Sequence, residues 1–161
     1  MRLCLAFLLA GAMATLALAQ PAPKVQLKVV TPDGLSNAIN GFKGQVVVVD
    51  VWAYWCHPCK AAFPHLVELH EKYAKDGLAA VSVSLDEPPK HAEALKFLEQ
   101  NRAHFTNLLL DVDQEAWQEK FHIKGPPTVF VFNREGKWTQ FKGEKAHPEV
   151  EKLVRELLHA K

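Results

Sequence analysis

Beyond its opening Gln45, the run to Trp52 is β-branched or aromatic and apolar on both faces, interrupted only by Asp50. An extended segment without a polar face must be covered on both sides, which places it at the centre of a sheet flanked by other elements. A second buried strand is predicted over Leu78 to Leu85. Between the two, Cys59 to Ala74 carries Ala62, Phe63, Leu66, Val67, Leu69, Tyr73 and Ala74 near helical spacing, with Pro64 as a kink and Gly77 as the terminator.

The same periodicities organise the rest of the chain. Val25 to Val30 alternates weakly and leads into Thr31-Pro32-Asp33-Gly34, which reads as a turn. Lys90 to Arg102 is helical, with Ala94, Leu95, Phe97 and Leu98 on its apolar side, and Thr106 to Leu110 is a short strand. Asp113 is placed to cap a helix running through Phe121, with Ala116, Trp117 and Phe121 facing inward. Thr128 to Phe132 and Lys137 to Phe141 form a hairpin around Asn133-Arg134-Glu135-Gly136. A last helix begins with Pro148 in its first turn and puts Val150, Leu153, Val154, Leu157 and Leu158 on one face. Strand and helix alternate, then a hairpin and a helix close the chain. That order predicts an α/β domain with a central mixed sheet and helices on both faces.

With 161 residues, 19 Lys+Arg and 18 Asp+Glu, the chain has the size of one domain and a formal charge of only +1. Such a charge supplies no long-range field for nucleic acid or an anionic membrane surface, so neither is expected as a partner. Met1-Arg2, the uncharged run Leu3 to Leu18 and the small-x-small triplet Ala17-Leu18-Ala19 before Gln20 have the form of a cleaved export signal. The run is shorter than the ~20 apolar residues of a membrane anchor. The expected organisation is therefore a signal peptide over 1–19 and a domain over 20–161. Cys4 leaves with the signal, and the domain works in the periplasm or another extracytoplasmic space, where disulfides persist.

Two cysteines remain, Cys56 and Cys59, where the central strand gives way to a helix. At a helix N-terminus unpaired N–H groups favour a thiolate, making Cys56 an exposed nucleophile, while Cys59 one turn on is a more buried resolving partner. An inert bridge closing so small a loop would add little stability. A structural zinc needs four ligands, and neither a second Cys-x-x-Cys nor a His-x-x-x-His is present. A soft Cu(I) delivery module using Cys56 and Cys59 stays as the alternative, without a methionine cluster to support it. No organic cofactor is implied, because the dithiol is itself the reactive centre.

The stretch Asp50-Val51-Trp52-Ala53-Tyr54-Trp55-Cys56-His57-Pro58-Cys59-Lys60, with Pro64 beyond it, resembles a thioredoxin active site and its kinked helix. Phe121-His122-Ile123-Lys124-Gly125-Pro126-Pro127-Thr128 resembles the cis-proline loop of the same superfamily. The leader and the long spacing between the motifs resemble the exported TlpA/ResA-like branch. The resemblance implies a thioredoxin fold with an inserted helix and strand between the active-site helix and the cis-proline loop. It implies thiol:disulfide exchange with exported protein substrates, an upstream electron donor, and work as a reductase. Cys56 would then attack, Cys59 would resolve, Asp50 would exchange a proton with Cys59, and Pro127 would be the cis-proline.

Two residues depart from that pattern. Pro126 has no N–H to offer a substrate backbone, so docking should be weaker and less selective. His57 stands beside Cys56 and can stabilise its thiolate, which would raise the potential above that of thioredoxin, while Pro58 matches the reducing pattern. Trp52 and Trp55 are expected to form an apolar lip, with Tyr54 and Lys60 at its rim. His65, His70, His91, His104, His122, His147 and His159 show no ligand spacing and are expected to be surface or satisfied residues.

Overall fold

A computed structural model of the chain describes residues 24–113, 117–119 and 123–160. The segment read as an export signal, with its Cys4, and Ala116, Phe121 and His122 lie outside the described residues. The all-apolar run becomes strand β2 (Val46–Trp52), with every residue buried. β2 pairs in parallel with β3 (Leu78–Ser84) and antiparallel with β5 (Thr128–Phe132), so Asp50 lies between Ser82 and Val129. Outside β3 come β4 (Thr106–Leu110) and β1 (Lys28–Val30), and outside β5 comes β6 (Trp138–Lys142). β1, β4, β3 and β2 run parallel, β5 is antiparallel to β2, and β6 is antiparallel to β5, which is the predicted mixed sheet.

Period-two alternation divides β2 between two cores. Val46, Val48 and Trp52 belong to one, and Val47, Val49 and Val51 to the other. The first lies under helices α3 (Pro64–Tyr73), α4 (His91–Gln100) and α5 (His147–His159), through residues such as Leu66, Leu98 and Val150. Asp50 shares the even parity of that face, and the two cysteines beyond the end of the strand are members of the core on the same side. The second core lies under helix α1 (Pro32–Asn40) and the helical turn at 117–119, which contribute Leu35 and Trp117.

Helix α1 corrects the reading of Thr31 to Gly34 as a turn. Thr31 is extended and its Oγ1 accepts a hydrogen bond from the Gly34 N–H at 3.2 Å, so it caps a helix with Pro in its first turn. A type I turn and a first helical turn share backbone geometry. The spacing of Leu35, Ala38, Ile39 and Phe42, all packed on the second core, decides for the helix. Pro64 breaks the predicted long helix into α2 (His57–Ala62) and α3, with Phe63 at the joint. Gly77 takes the left-handed conformation (φ 98°) that ends this region. Helix α4 and β4 are the helix and strand expected between the active-site helix and the proline loop.

Candidate active site

β2 delivers the chain to the carboxyl edge of the sheet, where Ala53, Tyr54 and Trp55 bridge to α2. The Cys56 N–H donates to the Ala53 carbonyl at 3.0 Å, closing a tight loop that leaves Cys56 as the N-cap of α2. Its Sγ accepts from the Cys59 N–H at 3.3 Å, and the two sulfurs form a disulfide across a Cα–Cα distance of 5.3 Å. The donor expected from a helix N-terminus is therefore present at the sulfur itself. The expected exposure of Cys56 is not seen. In the disulfide form Cys56 is 5% exposed and Cys59 2%, because both sulfurs close onto the first core.

What is exposed is the ring of residues around the bridge. Trp55 is 66% exposed and Tyr54 40%, with the Lys60 ammonium 4.6 Å from the Tyr54 ring centroid. Trp52 belongs to no lip. It is fully buried and packs against Phe63 and Phe97 at centroid distances of 5.3 and 4.9 Å, because its parity on β2 points it into the first core. His57 and Pro58 are exposed on the first turn of α2, and among the described residues His57 makes no hydrogen bond, ion pair or ring contact. The Pro126–Pro127 peptide bond is cis, both prolines are half-buried, and the Pro127 carbonyl accepts from the Gly143 N–H at 3.1 Å.

Two carboxylates stand behind the loop. Asp50 is buried on the same side of β2 as the cysteines, and burial alone pushes its pKa up from 3.8 to about 7. Asp86 is the second. Just past the end of β3 it is 3% exposed and accepts the Tyr54 N–H at 3.0 and 2.8 Å and the Ser84 hydroxyl at 2.7 Å. It thereby holds the segment that presents Cys56. An acidic residue just beyond a buried strand, at the edge where the neighbouring strand ends in the reactive motif, was the available signal.

The histidines divide. His91 meets the Leu27 carbonyl at 2.7 Å and is satisfied as expected. His70 Nδ1 and His147 Nε2 are buried without a hydrogen-bond partner, contrary to expectation, because both rings are wedged between packed elements. Among the described residues no three His, Cys, Asp or Glu side chains converge on a metal-sized site, and no helix is long and apolar enough to cross a membrane.

A family model described as thioredoxin-like matches residues 44–138, the span that contains β2, the cysteine pair and the proline loop. The chain belongs to the thioredoxin-like family. Among curated relatives, the thiol-disulfide oxidoreductase ResA of Geobacillus thermodenitrificans is 28% identical over 106 residues, covering 65% of this chain and 58% of its own. The sporulation thiol-disulfide oxidoreductase A of Bacillus subtilis is 29% identical over 118 residues, covering 73% and 70%. The chain spans 58%, 66% and 56% of the length of three such relatives. A solved structure described as the thiol:disulfide interchange protein DsbE of Chlorobium tepidum superposes with a TM-score of 0.65 at 33% identity, over 74% of this chain and 84% of that one. The Cys56–Cys59 bridge is thus the Cys-x-x-Cys pair of a family with members named thiol-disulfide oxidoreductases.

Proposed function

We propose that this chain is an exported thiol:disulfide oxidoreductase that reduces disulfides in other exported proteins and is itself reduced by an upstream electron donor. The observation that carries the reading is the position of Cys56: at the N-cap of α2, its sulfur receives the Cys59 N–H, and exposed aromatic residues flank it. In the dithiol form that N–H and the neighbouring helix terminus favour the Cys56 thiolate. The thiolate attacks one sulfur of a substrate disulfide, and the other sulfur leaves as a thiolate. Cys59 then attacks Cys56 Sγ. The Cys56–Cys59 bond forms, the bond to the substrate breaks, and the proton of Cys59 goes to Asp50. Two electrons have passed to the substrate, and the donor restores the dithiol.

Trp55 and Tyr54 offer the substrate an apolar lip, and Pro126 offers a carbonyl but no N–H. Export rests on the Met1 to Ala19 segment. Asp50 suits its role because a carboxyl titrating near 7 can both take and return a proton at working pH. The test is the reduction potential of the Cys56/Cys59 pair, equilibrated against glutathione. A value toward the thioredoxin end, about −270 mV and raised somewhat by His57, agrees with a reductase. A value near about −120 mV marks a disulfide-forming oxidant and overturns the direction proposed.

A further inference from the structure

His147 opens α5 and stands between two spaces. On its outer side is a solvent-facing groove of about 450 Å³ between α3 and α5, where His65, Glu68, Lys72, Lys145 and Glu151 supply the charged and titratable groups. The same residue also lines a half-open cavity of about 10 Å³, the space one water molecule needs, walled with it by Asp50 and the apolar Val48, Leu66, Leu69, Val129 and Val150. Among the described residues, Asp50 and His147 are the titratable groups facing that cavity. The His147 ring stacks on His65 at the groove, with centroids 4.4 Å apart, and His65 Nδ1 lies 3.4 Å from Glu68 Oε2. Nε2 of His147 is buried and unpartnered within the protein. Burial and then His65 hold the His147 pKa below the usual imidazole range, against an opposing pull from Glu68, so the ring is neutral at pH 7 with one nitrogen free to accept a proton.

This bears on a problem that the proposed mechanism leaves open. Asp50 sits in the middle of the central strand, with no hydrogen bond to its carboxyl among the described residues, so the proton it takes from Cys59 needs a way out. We propose that His147 is a positioning residue for this proton, passing it between a water in the Asp50 cavity and the solvent of the α3–α5 groove. The inference rests on the reading of Asp50 as the proton acceptor of Cys59. Asp50 gives its proton to the water, the water gives one to the free ring nitrogen of His147, and the other ring nitrogen releases one to the groove. The ring ends neutral in its other tautomer, and the sequence runs equally well in reverse.

The test follows the reduced protein after mixing with glutathione disulfide, with acid quenching to separate formation of the Cys56–glutathione mixed disulfide from its resolution by Cys59. At pH 6, where most Asp50 carboxyls hold a proton and must lose it before taking the one from Cys59, His147→Ala should slow resolution at least fivefold relative to formation. Imidazole, which can occupy the vacated space from the groove and titrates near neutrality, should restore at least half of the loss, and pyrazole, of the same shape but far less basic, should not. His147→Gln, which keeps a polar side chain without proton-relay chemistry, should be slow and indifferent to imidazole. Equal rescue by pyrazole, or resolution at the parent rate in both variants, would overturn the relay. Asp50→Asn separates the two readings. If it is slow while the His147 variants resolve normally, only the relay falls; if it too resolves at the parent rate, the role of Asp50 falls and the relay with it.

Discussion

Replacing Asp50 by Asn should stabilise the protein at pH 8, and the effect should depend on pH in a way that burial dictates. The folded carboxyl titrates at about 7 against an ordinary 3.8. Between those values the folded state holds a proton that the unfolded chain has lost, so stability falls as pH rises through the window and is flat above it. At 1.36 kcal/mol per pKa unit, burying this carboxyl costs the fold about 2 kcal/mol at pH 5, where the folded group stays protonated, and about 4 kcal/mol at pH 8. Asn is nearly isosteric and never ionises. It carries its own penalty for a buried amide, about 1–3 kcal/mol, but that penalty does not change with pH. Urea unfolding of the disulfide form of parent and variant at both pH values isolates the charge, since the other titrating groups are common to the two proteins. The difference in unfolding free energy, variant minus parent, should be more positive at pH 8 than at pH 5 by about 2–3 kcal/mol. The same difference at both values would mean that Asp50 is already ionised at pH 5 in the folded protein, and the argument from burial would be wrong.

Three other perturbations test the site. Asp86→Ala strands the Tyr54 N–H and the Ser84 hydroxyl and should cost roughly 2–5 kcal/mol in urea unfolding, with Asp86→Asn, which keeps an acceptor, costing less; equal losses would sink the hydrogen-bond account. Pro126→Val returns an N–H at the substrate-facing loop, and one added hydrogen bond of about 1 kcal/mol should raise kcat/KM for a peptide disulfide about fivefold. An unchanged value would remove Pro126 from substrate docking. His57→Gly should lower the reduction potential of the pair measured against glutathione, and an unchanged potential would show that the exposed imidazole does nothing for the Cys56 thiolate.

Most of the scaffold was legible because its signals are strictly local. Val46 to Trp52 has no polar face to offer solvent, and Val150, Leu153, Val154, Leu157 and Leu158 can share a core on only one period. The cysteine pair was legible from the chemistry of a strand running into a helix. The misses come from residues whose meaning depends on distant partners. Thr31-Pro32-Asp33-Gly34 fits a turn and a capped helix equally well until Leu35, Ala38, Ile39 and Phe42 meet the second core. Trp52 reads as lip or core until the parity of β2 is known. Asp86 gains its role from a backbone N–H 32 residues earlier in the chain, and the role proposed for His147 rests on a cavity whose walls come from four elements. No periodicity within a segment can report such contacts.

Asp50 presents the sharpest conflict between fold and use. Each of its neighbours on β2, Val48, Val49, Val51 and Trp52, is the residue that a fully covered strand favours, and an apolar side chain at position 50 would escape the burial penalty altogether. The chain instead keeps a carboxyl that weakens it by about 4 kcal/mol above neutral pH, a large part of the stability of an ordinary domain. A penalty of that size makes sense where the same desolvation is the useful property. By raising the carboxyl to about 7, burial turns a side chain that would be a fixed anion in water into one that can take and return a proton at neutral pH. Desolvation, however, also cuts such a group off from solvent, so a buried proton carrier is useful only if something reconnects it. The cavity shared with His147 is where this molecule can do so without opening its central sheet.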